Sequence, residues 1–145
     1  MSEPTKIELK RVDDAFQMQA SDAEGHSVLM DAGTATGGKG AGVRPMQMLL
    51  MGLGGCSAVD ILLILKKQKQ EVTDFRISME GVREAGKEPS LWEEVQLVFH
   101  FTGKVDQDKA QRAVDLSMKK YCSVAATLEK AGAEIKYTVL VNEAR

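Results

Sequence analysis

The sequence predicts a mixed α+β fold, and three features predict it: short alternating segments near the N-terminus, a long proline-free apolar run beginning at Met46, and further alternating segments flanking a second helical stretch. At 145 residues, with 43% hydrophobic and 28% charged side chains, the chain has the length and balance for one core. A single domain over residues 1–145 is therefore expected.

The elements follow in order. Ile7 to Arg11, Phe16 to Ala20 and Ser27 to Met30 alternate partially between turn-like Asp13-Asp14 and Glu24-Gly25, which reads as a three-stranded meander. Asp31 to Gly42 holds five glycines among small residues and reads as a mobile loop. Pro45 suits a first helical turn, and Met46 to Lys69 then runs through an apolar centre to a Lys-rich end that complements the helix dipole. Because Met48 to Leu65 is apolar on nearly every face, this helix should be buried all round, among other elements or against a partner subunit.

Two long strands come next. Val72 to Glu80 alternates imperfectly about Phe75, Ile77 and Met79, and Trp92 to Thr102 alternates about Val95, Leu97, Phe99 and Phe101. Gly86 and Pro89 lie between them, so a hairpin with a long turn is the simplest closure. Asp106 can cap a helix running through Ala110, Ala113, Val114 and Met118, and a short helix should follow Ser123. Ile135, Tyr137, Val139 and Val141 then mark a closing strand. The order is three strands, one long helix, two strands, two helices and one strand.

Charge and hydropathy narrow the function classes. The net charge is −2, and lysines and arginines are interspersed with acids, so no basic stripe for a nucleic acid exists. Met1 to Lys10 is polar, and apolar runs such as Ile61 to Leu65 fall short of a membrane span, so a cytoplasmic protein with no membrane partner is expected. Two cysteines in a reducing compartment are too few for a disulfide framework and too far apart for a CxxC motif. If Cys56 and Cys122 matter together, the fold must join them.

Both sit in unusual contexts. Gly52, Gly54 and Gly55 precede Cys56 inside the long helix, where each glycine costs roughly 1 kcal/mol relative to alanine. They call for close approach of another backbone at Cys56, or for a kink. Cys122 lies in Tyr121-Cys122-Ser123, just before a short helix whose unpaired N–H groups and dipole would lower a thiol pKa. On electrostatics alone Cys122 is the better nucleophile; a small buried hydrophobe is the plain alternative for Cys56.

The run Arg44-Pro45-Met46-Gln47-Met48-Leu49-Leu50-Met51-Gly52-Leu53-Gly54-Gly55-Cys56-Ser57-Ala58-Val59-Asp60, continued by Ile61 to Lys67, resembles the central helix motif of the OsmC/Ohr family. Tyr121-Cys122-Ser123-Val124-Ala125-Ala126-Thr127-Leu128 resembles that family's second cysteine motif, and the element order also agrees. The motif is most similar to the YhfA-like branch. The resemblance implies an OsmC-like fold and an intertwined homodimer with sites at the subunit interface. It also implies a cofactor-free thiol peroxidase acting on organic hydroperoxides or hydrogen peroxide. In that picture Cys56 attacks, Cys122 resolves the sulfenic acid to a disulfide, and an external dithiol reduces it.

One departure from the family pattern bears on activity. The family's glutamate shortly after the motif's proline is absent, and the uncharged Met46 and Gln47 stand there instead. Arg11, Arg44 and Gln47 are the candidates for activating the thiol; an arginine within about 4 to 6 Å would lower its pKa by one unit or more. The departure implies weak peroxidase activity, a different substrate, or a non-catalytic protein that binds a small apolar molecule in the interface pocket.

Other signals carry less. Gly33 to Gly40 nearly spells a GxxxxGK phosphate loop, but Gly40 replaces the Ser or Thr that would hold Mg²⁺. His26 and His100 have no metal-ligand spacing, and no metal is implied. Asp60, one turn after Cys56, reads as a helix-surface or hydrogen-bonded core residue, and methionines such as Met46, Met48 and Met51 read as deformable core filler.

Overall fold

β1 (Ile7–Arg11), β2 (Met18–Asp22) and β3 (Ser27–Met30) pair antiparallel in the order β1-β2-β3. This is the expected meander, in a computed structural model that describes residues 2–143. β2 is displaced by two residues at both ends, Met18–Asp22 against the expected Phe16 to Ala20, because Asp13 Oδ1 accepts the N–H groups of Ala15 (2.9 Å) and Gln17 (3.0 Å), which stretches the preceding turn.

The glycine-rich segment after β3 is more ordered than a structureless loop. Asp31, 2% exposed, accepts N–H bonds from Ala32 (2.7 Å), Lys39 (3.2 Å) and Ala41 (3.0 Å), so the chain wraps its carboxylate. A short 3₁₀ turn, Thr34–Thr36, lies within the wrap. Within the near-phosphate motif the Lys39 N–H is thus turned inward to a carboxylate, and those of Thr36, Gly37 and Gly38 are spent on the carbonyls of Gly33 and Thr34. The Lys39 ammonium meets Asp14 at 3.1 Å and Asp13 at 3.4 Å, which removes the charge a phosphate would need.

α1 spans Pro45–Lys67. Proline opens it, and Gln47, its third residue, turns its side-chain oxygen back to accept the Arg44 N–H at 2.9 Å, the reciprocal half of a capping box. Lys69, at φ 59°, ends it, two residues beyond the last helical position. The chain's contacts divide it into two compact units, Met1–Leu49 and Leu50–Arg145.

In the second unit β4 (Glu71–Arg83) and β5 (Trp92–Lys104) form the long antiparallel hairpin that alternation predicts. β6 (Glu134–Val141) adds to the other edge of β5 in parallel, giving the order β4-β5-β6. A parallel neighbour requires a crossover, and α2 (Gln107–Leu116) and α3 (Ser123–Lys130) supply it. Asp106 caps α2, accepting the Lys109 N–H at 3.0 Å. α2 stops at Leu116, short of the expected Met118, because residues Ser117–Tyr121 widen into a π-helical turn.

Val95, Leu97, Phe99 and Phe101, all on one face of β5, form a single core with Leu53, Ile61 and Leu65 of α1 and Ala110, Ala113 and Val114 of α2. α1 therefore buries one stripe, Leu53, Gly54, Ser57, Ile61 and Leu65, at helical spacing. Its opposite side is open, with Val59 67% exposed and Met51 and Leu63 about half exposed. Of the two expected ways to bury this helix all round, the chain's own elements therefore supply only one side. The reading of apolar length is corrected: α1 as a whole, with mean hydropathy 2.1 over its most apolar window, is long and apolar enough to cross a membrane by length and composition. Counting uninterrupted runs such as Ile61 to Leu65 misses this, because glycines and small residues interrupt the run while lowering its mean hydropathy only a little.

The glycines before Cys56 have a different reason from the expected backbone approach. A Cβ on Gly54 would lie 2.8 Å from the Met79 methyl of β4, a side chain, whereas Cβ atoms on Gly52 and Gly55 would meet nothing within 4 Å. Gly54 admits the sheet; Gly52 and Gly55 leave the outer face of α1 bare.

Candidate functional site

Cys56 lies midway along α1 and is half-buried; Cys122, 3% exposed, is the N-cap of α3. The two predicted residues are brought together: both thiols are free, both belong to the same core cluster, and they lie near enough for Cys56 to raise the pKa of Cys122. The π turn delivers Cys122 to this point. Its backbone N–H donates to the Ser117 carbonyl at 2.7 Å, a five-residue bond, and the chain then turns into α3.

Local electrostatics separate the two sulfurs. At Cys122, burial is the largest influence and pushes the thiol up to about 11, with the neighbouring Cys56 raising it further. The N–H groups of Ala125, 3.4 Å from Sγ, and of Val124 pull the other way and lose. This overturns the dipole argument that made Cys122 the better nucleophile. A thiol that ionises only near pH 11 stays neutral at physiological pH, which disfavours Cys122 as a nucleophile.

A stability consequence follows from the raised value. The folded state holds the Cys122 proton more tightly than the unfolded chain, so its contribution is fully present below the ordinary thiol value of 9.0 and is lost as pH rises towards about 11. The urea midpoint of the reduced protein should fall over that window, and the fall should be smaller in Cys122→Ala. Parallel midpoints for the two proteins across the window would contradict it.

One helical turn from Cys56 lies a polar set of which the sequence singled out only Asp60. Ser117, fully buried, donates from Oγ to Asp60 Oδ2 at 3.0 Å, with the Ser57 carbonyl at 3.4 Å as a second acceptor. Ser57, also fully buried, donates to the Gly54 carbonyl at 3.1 Å. Asp60 is thus the hydrogen-bonded residue expected of it. Nothing in Ser117-Met118-Lys119-Lys120-Tyr121 departs from ordinary helical composition, so only the tertiary bond reveals Ser117.

The three candidate activating residues belong to the first unit and are held by its backbone. Arg11 Nε donates to the Ala15 carbonyl at 2.9 Å, the Arg44 guanidinium packs over Gly33, and Gln47 serves as the α1 cap. Of the histidines, His26 pairs with Asp22 on the surface at 2.8 Å, and His100 is buried beside Ser78.

The chain is thus a mixed α+β protein with one thiol on its central helix and another at the N-cap of α3. Residues 37–138 match the model of the OsmC-like protein family, and the chain belongs to that family. It is 46% identical to protein YhfA of Escherichia coli K12 over 110 residues, which cover 75% of this chain and 78% of YhfA. A hypothetical protein from Aquifex aeolicus VF5 superposes with a TM-score of 0.79 at 33% identity, covering 98% of this chain and 100% of that one. The organic hydroperoxide resistance protein OsmC from Legionella pneumophila shares the fold, with a TM-score of 0.73 at 20% identity over 96% and 98% of the two chains. The family thus includes organic hydroperoxide resistance proteins, as the motif resemblance implied.

Proposed function

We propose that this protein is a thiol-dependent peroxidase that reduces organic hydroperoxides or hydrogen peroxide through Cys56 and Cys122, acting as a cytoplasmic homodimer. The observation that carries the reading is the proximity of two free thiols 66 positions apart in sequence, one half-exposed and one buried, at the same core cluster. In the first step the Cys56 thiolate attacks a peroxide oxygen; the S–O bond forms, the O–O bond breaks, and the alcohol leaves with a proton from solvent. The Cys122 sulfur then attacks Cys56, forming S–S as S–O breaks, and water leaves with the Cys122 proton. An external dithiol restores both thiols by two exchanges, so hydroperoxide and dithiol become alcohol, water and disulfide. Arg11 or Arg44 is the cation proposed to attend Cys56.

The homodimer is supported by the outer face of α1, where Met51, Val59, Leu62 and Leu63 are exposed around the bare Gly52 and Gly55. A second copy would cover that face. The test of the reading is thiol consumption by the purified reduced protein on adding cumene hydroperoxide or hydrogen peroxide. Both thiols should disappear together and much faster than free cysteine; survival at the rate of free cysteine would overturn the catalytic claim.

A second reading has its own observation. The first unit contains a cavity of about 330 Å³ lined by Leu9, Phe16, Met18, Met30, Ala32 and Pro45, with Asp31 at its edge. With Met46 and Gln47 in place of the family's glutamate, it supports a non-catalytic protein binding a small apolar molecule. That reading gains if thiols are inert and an apolar fluorophore binds stoichiometrically.

A further inference from the structure

We propose that Asp60 and Ser117 are positioning residues for the thiol pair: their hydrogen bond holds the π turn on α1 at the register that seats the Cys122 thiol against Cys56. The proposal rests on reading Cys56 and Cys122 as a redox pair. Its geometry has four corners. On α1, Cys56 and Asp60 are four residues apart, one helical turn and about 6 Å along the axis. On the facing segment, Ser117 and Cys122 are five residues apart and are stacked by the 2.7 Å bond that closes the π turn. One bond joins the two sides, Ser117 Oγ to Asp60 Oδ2 at 3.0 Å, and the two thiols neighbour each other at the same core cluster.

The widened turn is what makes the corners match. In an unbroken α-helix each residue advances about 100° around the axis, so a five-residue separation would rotate Cys122 well away from the face that carries Ser117. The π turn absorbs that extra residue. Such a turn has poorer intrinsic geometry than α-helix and persists where tertiary bonds hold it, and Ser117 is fully buried with its hydroxyl committed to α1. Asp60 and Ser117 therefore act through the backbone of the turn, by fixing the effective concentration of one sulfur at the other.

The test measures disulfide formation without any peroxide. Wild type, Ser117→Ala, Asp60→Ala, Asp60→Asn and the Ser117→Ala/Asp60→Ala double variant are equilibrated anaerobically with reduced and oxidised glutathione, and the Cys56–Cys122 disulfide is quantified by alkylation and mass spectrometry. Urea unfolding is run alongside to establish that each variant is folded. Each alanine variant should lower the disulfide equilibrium constant about tenfold, equal to about 30 mV in potential. The double variant should be no worse than either single one, because all three lose the same bond. Asp60→Asn should stay near wild type, since its side-chain carbonyl still accepts from Ser117. Alanine variants that fold and keep the wild-type constant would overturn the positioning role while leaving the redox pair intact. Should the alanine variants not fold, an Asp60→Asn constant lowered tenfold would overturn it, and a wild-type constant would support it. Wild type that forms no intramolecular disulfide would overturn the redox pair itself, and the positioning role with it.

Discussion

Cys56→Ser should abolish hydroperoxide-driven thiol loss, whereas Cys122→Ser should consume one equivalent of oxidant and stop at a sulfenic acid. The asymmetry comes from the two environments. Cys56 is the half-exposed sulfur, and a serine hydroxyl in its place has neither the acidity nor the polarisability to cleave an O–O bond. Loss of an attacking nucleophile typically lowers turnover on the order of 10³-fold or more. Cys122 is buried, neutral and a neighbour of Cys56, which suits the second displacement but not the first. Counting thiols with a chromogenic disulfide and trapping the sulfenate with dimedone distinguishes the cases. A Cys56→Ser protein that still loses its remaining thiol rapidly would sink the assigned order.

Phe99→Ala should destabilise the second unit by about 3 to 5 kcal/mol. Phe99 is fully buried at the centre of β5, opposite Ile77 of β4 and Val139 of β6, so its removal opens a hole between both neighbours and the helices above. Its ring lies 6.4 Å from Phe75 and meets Tyr137 edge-on at 6.3 Å, so aromatic contacts are lost together with the buried area. Against a typical total stability of about 5 to 15 kcal/mol, a loss of that size lowers the denaturant midpoint visibly. A change below about 1 kcal/mol would mean that the neighbouring side chains collapse into the space and the core is less tightly specified than its burial indicates.

Much of this was legible in the sequence, for reasons that differ from element to element. The alternation from Val95 to Phe101 reports a strand with one buried face, and Asp106 and Pro45 mark helix starts because capping chemistry is local. The cysteine motifs were legible as a resemblance, and the fold brings their thiols together. What escaped depends on contacts distant in sequence. Asp31 orders a glycine-rich segment through acceptors reaching Lys39 and Ala41, and Ser117 reaches Asp60 across 57 positions. The sign of the Cys122 shift was also hidden, because a helix N-terminus is visible in sequence whereas the burial that outweighs it is not. For α1, composition gives apolarity; which stripe is buried depends on the sheet.

The parallel pairing of β6 has a consequence for the order in which the chain assembles. β4 and β5 are joined by residues 84–91 and can close early, since the entropy lost in forming a short loop is small. β6 reaches β5 only after the segment 105–133 has formed its helices, so its contacts are the non-local ones that form late. Cys122 lies inside that segment. The thiol pair therefore waits for that segment to fold and does not come with the helix that bears Cys56. At ribosomal rates of about 5 to 20 residues per second, the 66-residue gap keeps Cys56 without its native partner for roughly 3 to 13 s in each round of synthesis. For that interval, whatever reductant surrounds the nascent chain must keep the half-exposed sulfur from oxidising alone.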